Sequence, residues 1–137
     1  MPAHDLLRMR AINRPEHPVF ISLDRTFVYR ELDELSDRFA NVLIEKGIHK
    51  GDRVAFYLPN CLQALITFLG VSKATATVVT CNVMLKKDEL AYQLADSGSK
   101  AIVTLDKLYP IVESIRDQTS LDHIFVTTIR DYAEPSA

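Results

Sequence analysis

The stretch Gly47-Ile48-His49-Lys50-Gly51-Asp52-Arg53-Val54-Ala55-Phe56-Tyr57-Leu58-Pro59-Asn60 contains, in succession, a helix stop, a polar turn, an apolar strand and a chain breaker. Gly47 stands where a helix gives way to the left-handed C′ conformation, which glycine adopts without a Cβ clash. Lys50 to Arg53 has the composition of a turn. Val54 to Leu58 is apolar at every position, without the in–out alternation of a half-solvated strand, so it predicts a strand buried on both faces. Pro59 ends it. Asn60 can cap a following helix, because its side-chain oxygen accepts a first-turn N–H.

Upstream, Leu32, Leu35, Phe39, Val42 and Leu43 recur at helical spacing and predict one apolar stripe. Asp33, Glu34, Asp37, Arg38, Glu45 and Lys46 lie mainly off it. Val19 to Ile21 and Thr26 to Val28, with a turn near Asp24-Arg25, read as a small hairpin. Leu6, Leu7 and Met9 suggest a short first helix that stops at Arg14-Pro15.

Downstream, Cys61 to Leu85 is nearly all apolar and long enough to span a bilayer. Lys73 lies near its middle, where a charge costs ~2.5–3.5 kcal/mol on insertion scales. The halves also differ in character: Leu62 to Val71 is rich in Leu and Phe, and Ala76 to Cys81 in Val and Thr. The stretch therefore predicts a buried helix followed by a buried strand, not a transmembrane segment. Asp88 and Glu89 open a further helix with Leu90, Ala91, Leu94 and Ala95 on its apolar face, and Gly98 stops it. Ala101 to Leu105 and Ile124 to Val126 read as strands, with a helix from Leu108 to Ile115 between them.

Strands and helices alternate roughly every 22–25 residues, the rhythm of an α/β protein whose parallel sheet is layered with helices on both faces. The helix after Asn60 is apolar nearly all round and is expected between layers.

With 137 residues, 47% of them apolar, the chain suits one domain. Charged residues make up 25%, with a net charge of −2 and acids interleaved among the bases, so neither nucleic acid nor an anionic membrane is an expected partner. Cys61 and Cys81 form no CxxC pair and read as structural thiols suited to a reducing cytoplasm. Met1 to Ile12 holds His4, Asp5, Arg8 and Arg10 and does not resemble a secretory leader.

Signs of chemistry are sparse. Gly47, Gly51, Gly70 and Gly98 match no phosphate-cradling pattern. His4, His17, His49 and His123 lie far apart, which argues against a metal site. No serine sits in a GxSxG elbow. Lys50 to Arg53 and Lys86-Lys87 are the two polar clusters that could receive an anion, although turn chemistry and solvated surface explain them as well. No catalytic, cofactor-binding or metal residue is assigned.

Several blocks, in order, resemble acyl-CoA synthetases and related adenylate-forming, AMP-binding enzymes. They are Phe27-Val28-Tyr29-Arg30-Glu31-Leu32 with Ala40, Leu43 and Gly47; Gly47 to Ala55 followed by Leu58-Pro59-Asn60; Phe68 to Ala74; Asn82, Leu85 and Glu89-Leu90; and Asp96-Ser97-Gly98-Ser99-Lys100. The resemblance runs from about Leu6 to Val126 and is closest to long-chain fatty-acid–CoA ligases. Thr75 stands where that family usually has Gly, Thr80 where it often has Pro, and Val83 where it usually has Pro. Val28 stands where a Thr would complete a Thr-x-x-Glu capping box with Glu31.

The resemblance implies that the full enzyme joins a fatty acid to ATP as an acyl-adenylate and transfers the acyl group to coenzyme A, with Mg²⁺ assisting. The family's phosphate loop, later acidic and aromatic motifs and catalytic lysine have no counterpart in this chain. Residues 1–130 are therefore expected to be a truncated N-terminal subdomain, an incomplete part of the large N-terminal domain. Residues 131–137 are expected to be a linker or cut loop. The piece alone is expected to be inactive, to bind no cofactor, to leave one sheet face uncovered and to self-associate. The alternative is a free-standing α/β binding or interaction domain without catalysis. Receiver and flavodoxin-like modules fit less well: Asp106 is a lone acid, and a phosphate loop after the first strand is missing.

Overall fold

The computed structural model describes residues 3–14, 16, 18–22, 25–59 and 61–128. In chain order the elements are α1 (Ala3–Asn13), β1 (Pro18–Ser22), β2 (Arg25–Val28), α2 (Tyr29–Glu45), β3 (Arg53–Tyr57), α3 (Leu62–Lys73), β4 (Thr77–Cys81), α4 (Lys87–Ser97), β5 (Ala101–Leu105), α5 (Tyr109–Ile115), a 3-10 turn (Arg116–Gln118) and β6 (His123–Thr127). The expected hairpin is β1–β2, antiparallel. The expected linker at 131–137, together with Asp24, Pro15 and Asn60, lies outside the described residues. The N-cap of α3 is Cys61, which makes no side-chain capping bond.

The main sheet is parallel, in the order β4-β3-β5-β6. Strand β3 sits inside it with Val54 to Tyr57 buried, as its unbroken apolar run predicts. Side chains leave the sheet alternately. Val54, Ala101 and Val78 pack with α2 and α3 residues such as Leu43 and Val71. Ala55, Tyr57, Cys81 and Ile102 pack with Leu90 and Leu94 of α4 and with Val112 and Ile115 of α5. Both faces therefore carry helices, and the expectation of one uncovered face is corrected. α4 and α5 are the crossovers β4→β5 and β5→β6, and both land on the face opposite α3. Incomplete cover is confined to the flanks, where Val126 of β6 is 48% exposed.

Helix α2 is amphipathic as expected, but its buried line differs from the predicted stripe. Leu32, Ser36, Ala40 and Leu43 are buried, Leu35 and Phe39 are half-buried, and Val42 is turned outward. The reason is close helix contact. A Cβ on Gly70 of α3 would stand 2.7 Å from Phe39 Cδ2 and 3.2 Å from the Ser36 carbonyl oxygen. Small residues therefore occupy the seam and larger ones flank it.

The turns before β3 and β4 are clasped together. Gly51 N–H donates to Thr75 O at 3.1 Å, and Thr77 N–H to Asp52 O at 2.8 Å. This clasp holds Thr75 at φ 61°, the only non-glycine among the described residues with positive φ. A β-branched residue there is strained by ~1–2 kcal/mol relative to glycine. Thr75→Gly is therefore expected to raise stability by up to ~1 kcal/mol, once the greater freedom of glycine in the unfolded chain is subtracted. A lower urea midpoint would contradict it.

Val28 is the N-cap of α2 and offers no side-chain acceptor, whereas its own N–H reaches Glu31 Oε1 at 3.4 Å, the other half of a capping box. Val28 is only half-buried, leaving room for the isosteric hydroxyl. Val28→Thr is expected to stabilise the fold by about 0.5–2 kcal/mol, read as a higher Tm.

Candidate functional site

In an open parallel sheet, ligands favour the rim at the carboxyl ends of the strands, where crossovers diverge to opposite faces. Here that point lies between β3 and β5. Its polar groups are mostly bound to one another. Thr104 Oγ1 donates to Tyr57 O at 3.1 Å across the two strands. The Tyr57 hydroxyl donates to Leu85 O at 3.1 Å, and burial raises its pKa. Gln63, buried in the first turn of α3, donates to Thr128 O at 2.7 Å. Asp106 Oδ1 accepts the Lys107 N–H. The Cys81 thiol is pushed up to about 11 by burial and stays protonated at neutral pH, so it is no nucleophile.

Beside this rim runs an apolar groove between α3, α2 and the β5–β6 flank. Phe39, Ile66, Val103, Phe125 and Val126 line it, with Gln63, Thr67 and Thr127 as its polar members. Phe39 and Phe125 meet edge-on, with ring centroids 5.7 Å apart. The groove can take an apolar chain or a packing side chain, but it holds no acid, base or activated nucleophile.

The densest cluster of charge lies elsewhere, where α1, α2 and α3 meet. Lys73 Nζ, on a side chain only 8% exposed, reaches Asp33 Oδ1 at 2.7 Å, Asp37 Oδ1 at 2.8 Å, Ser36 Oγ at 2.8 Å and Asp33 O at 2.9 Å. Arg8 of α1 completes it, with Nε 3.0 Å from Asp33 Oδ1 and Nη2 2.8 Å from Asp37 Oδ1. The bond to Asp33, ahead of any other contact, raises the Arg8 pKa. His4 Nδ1 lies 2.7 Å from Ser72 Oγ, and His4 Nε2 lies 3.3 Å from Asp5 Oδ1.

That Ser–His–Asp order invites a hydrolytic reading, which the backbone refuses. The neighbouring N–H groups of Ala74, Thr75 and Ala76 are committed to Gly70, Ser72 and Val71 carbonyls, leaving no donors for an oxyanion. The cluster is a clamp that seats α1 on the α2–α3 seam.

The two polar clusters flagged in the sequence are not brought together. Lys50 to Arg53 lies at the amino-terminal rim, away from the ligand-favouring edge. There Asp52 Oδ2 accepts the His49 N–H at 2.7 Å and faces Lys100 Nζ at 3.3 Å. The His49 bond, more than Lys100, lowers the Asp52 pKa. Lys86 caps α4, and its N–H donates to Glu89 Oε1 at 3.0 Å, so a carboxylate already sits where an anion would bind. Among the described residues no group of three or more His, Cys, Asp or Glu is placed to hold a metal, and no helix is long and apolar enough to cross a membrane. Sequence reasoning missed the clamp. The sequence offers only a faint signal, two acids at i, i+4, Asp33 and Asp37, whose mild repulsion a cation would relieve, and nothing in it singles out Lys73 or Arg8 as that cation.

Comparison with known proteins covers the same extent as the fold. A model of the AMP-binding enzyme family matches residues 7–136. A long-chain-fatty-acid–CoA ligase of Escherichia coli is 33% identical over 128 residues, which is 93% of this chain and 23% of that protein. The structure of the anthranilate CoA ligase AuaEII, with anthranoyl-AMP, superposes with a TM-score of 0.89 at 25% identity over 96% of this chain and 26% of that one. The N-terminal domain of FACL13 from Mycobacterium tuberculosis superposes with a TM-score of 0.87 at 29% identity, over all of this chain and 38% of that one. The chain thus spans about a quarter of the length of the curated relative, 23%.

Removing one member of a buried ion pair costs about 3–5 kcal/mol, because the other charge is left uncompensated. Lys73→Met is expected to lose about 3 kcal/mol, Asp37 being partly solvated and able to relax. Lys73→Met combined with Asp33→Asn is expected to lose less than the sum of the two single changes. Urea unfolding of all three variants checks the coupling. Additive losses would mean that the clamp does not act as a unit.

Proposed function

This chain belongs to the AMP-binding enzyme family, and we propose that it forms the N-terminal layer of an ATP-dependent fatty-acid–CoA ligase. The observation that carries the reading is the co-extensive match of family model and fold: residues 7–136 fit the family, and the layer superposes on a CoA ligase that holds an acyl-adenylate. The reaction would convert fatty acid, ATP and coenzyme A to acyl-CoA, AMP and pyrophosphate in the cytoplasm.

Within that reaction the described residues fit a supporting role. Mg²⁺ and the ATP phosphates need clustered oxygen ligands and convergent cationic or backbone donors. The carboxylates and cations described here are either paired in the α1–α2–α3 clamp, tied at the amino-terminal rim or spread over the solvated surface. They do not fit either group, and no step of adenylation is routed through them. What this layer supplies is a stiff sheet rim and the apolar groove beside it. The 137 residues on their own are expected to show no adenylation.

Two measurements test this. The first is the intact mass of the product in its native cells, read with an antibody raised against this chain. The second is ATP–pyrophosphate exchange by that isolated product with saturated fatty acids of increasing length. The expected result is a species several times heavier than 15.5 kDa whose exchange depends on added fatty acid. A stable species of 15.5 kDa without exchange would favour the binding-module reading instead.

A further inference from the structure

Two exposed helical surfaces carry opposite charge and face away from each other. On α1, Leu6, Met9 and Ile12 point outward, with Ile12 71% exposed. Arg8 is consumed by Asp33 and Asp37, but Arg10 and Arg14 make no ion pair among the described residues. Asp5, 54% exposed and paired among the described residues only with His4, lies on the same stripe, so the apolar ridge carries one acid against Arg10 and Arg14 and keeps a surplus of positive charge.

On α4, Tyr92 is 72% exposed and forms, with Leu85 and Gln93, the floor of a shallow groove rimmed by Asp88, Glu89 and Asp96. None of these three carboxylates has an ion-pair partner among the described residues. Lys86 and Lys87 stand at the helix start, outside the groove lining. Met84, 83% exposed, extends the apolar surface at the same end.

We propose that these surfaces bind each other between two copies of the chain, the basic apolar ridge of α1 seating in the acidic groove of α4. Charge complementarity sets the pairing: each surface has charges the molecule leaves unpaired, and they are of opposite sign. Exposed apolar side chains ringed by such charges are the usual makeup of an association surface. Geometry sets the form. α1 packs on α2 and α3 and α4 on the other face of the sheet, so one copy cannot join its own two surfaces. The contact is heterologous and propagates head to tail, so association continues past the dimer. This goes beyond the enzymatic reading and concerns the 137-residue chain by itself.

Sedimentation of the 137-residue chain from micromolar to millimolar concentration, at low and high salt, reads the association. The expected result is a mean mass that climbs past twice 15.5 kDa with concentration and an association constant at least about tenfold weaker at high salt. Arg10→Glu and Asp96→Lys are each expected to leave a monomer with an unchanged circular-dichroism spectrum. Mixing the two variants sets the glutamate introduced at position 10 against the lysine introduced at position 96 at one junction, and Arg10 against Asp96 at the next, and so restores association past the dimer. A chain that stays monomeric throughout overturns the proposal. So does association indifferent to salt and to both substitutions, or a mixture that stays monomeric.

Discussion

The close approach of α2 and α3 is the constraint from which the rest of the architecture follows. Gly70 lets the α3 backbone come within contact of Ser36 and Phe39. At that distance the two helices form a single layer, thin enough for Leu43, Val71 and Ala74 to meet Val54 and Ala101 of the sheet at once. A larger residue at the seam would lift α3, and with it the turn that leads into β4. That same turn, clasped by Gly51 and Asp52, fixes the register of β4 on β3. Seam, clasp and sheet are one mechanical unit.

The closeness also explains the charges. Once α2 and α3 touch, Lys73 in the last turn of α3 is carried onto Asp33 and Asp37 and loses its solvent. A cation so placed is tolerable only because its hydrogens find acceptors at 2.7–2.9 Å. Arg8 then has a reason to bring α1 across both acids, and His4 a partner in Ser72. Stability and orientation of the first helix follow from a helix contact formed far from it in sequence.

This ordering explains what the sequence disclosed. The strands were legible because Val54 to Tyr57 and Ala101 to Val103 are buried on both faces, which leaves no alternation to mistake for anything else. The stops at Gly47 and Gly98 were legible because their left-handed backbone, at φ 87° and 64°, selects glycine. The buried line of α2 was not. Ser36 is polar and Val42 apolar, and only the presence of α3 decides that the first turns inward and the second outward. The clamp escaped for the same reason, since its members are separated in sequence and acquire meaning only in contact. The departure at Thr75 was visible as a mismatch with the family; its physical content, a strained φ, needed the backbone.

A reactive site differs from a scaffold in one measurable respect: it keeps polar atoms aimed at a place where something else will come. Among the described residues every buried side-chain nitrogen and oxygen already has a partner. Gln63, Thr67 and Thr104, the buried polar side chains nearest the carboxyl rim, are bonded to carbonyls of Thr128, Gln63 and Tyr57. The Gln63 bond ties α3 to the residue after β6, the Thr67 bond closes within α3, and the Thr104 bond joins β5 to β3; each would have to break before its side chain could serve a ligand. Chemistry routed through Gln63 or Thr104 would begin by loosening the sheet. The layer therefore contributes shape and stiffness, and its share in ligation is to hold a rim in place against which reactive groups can be set.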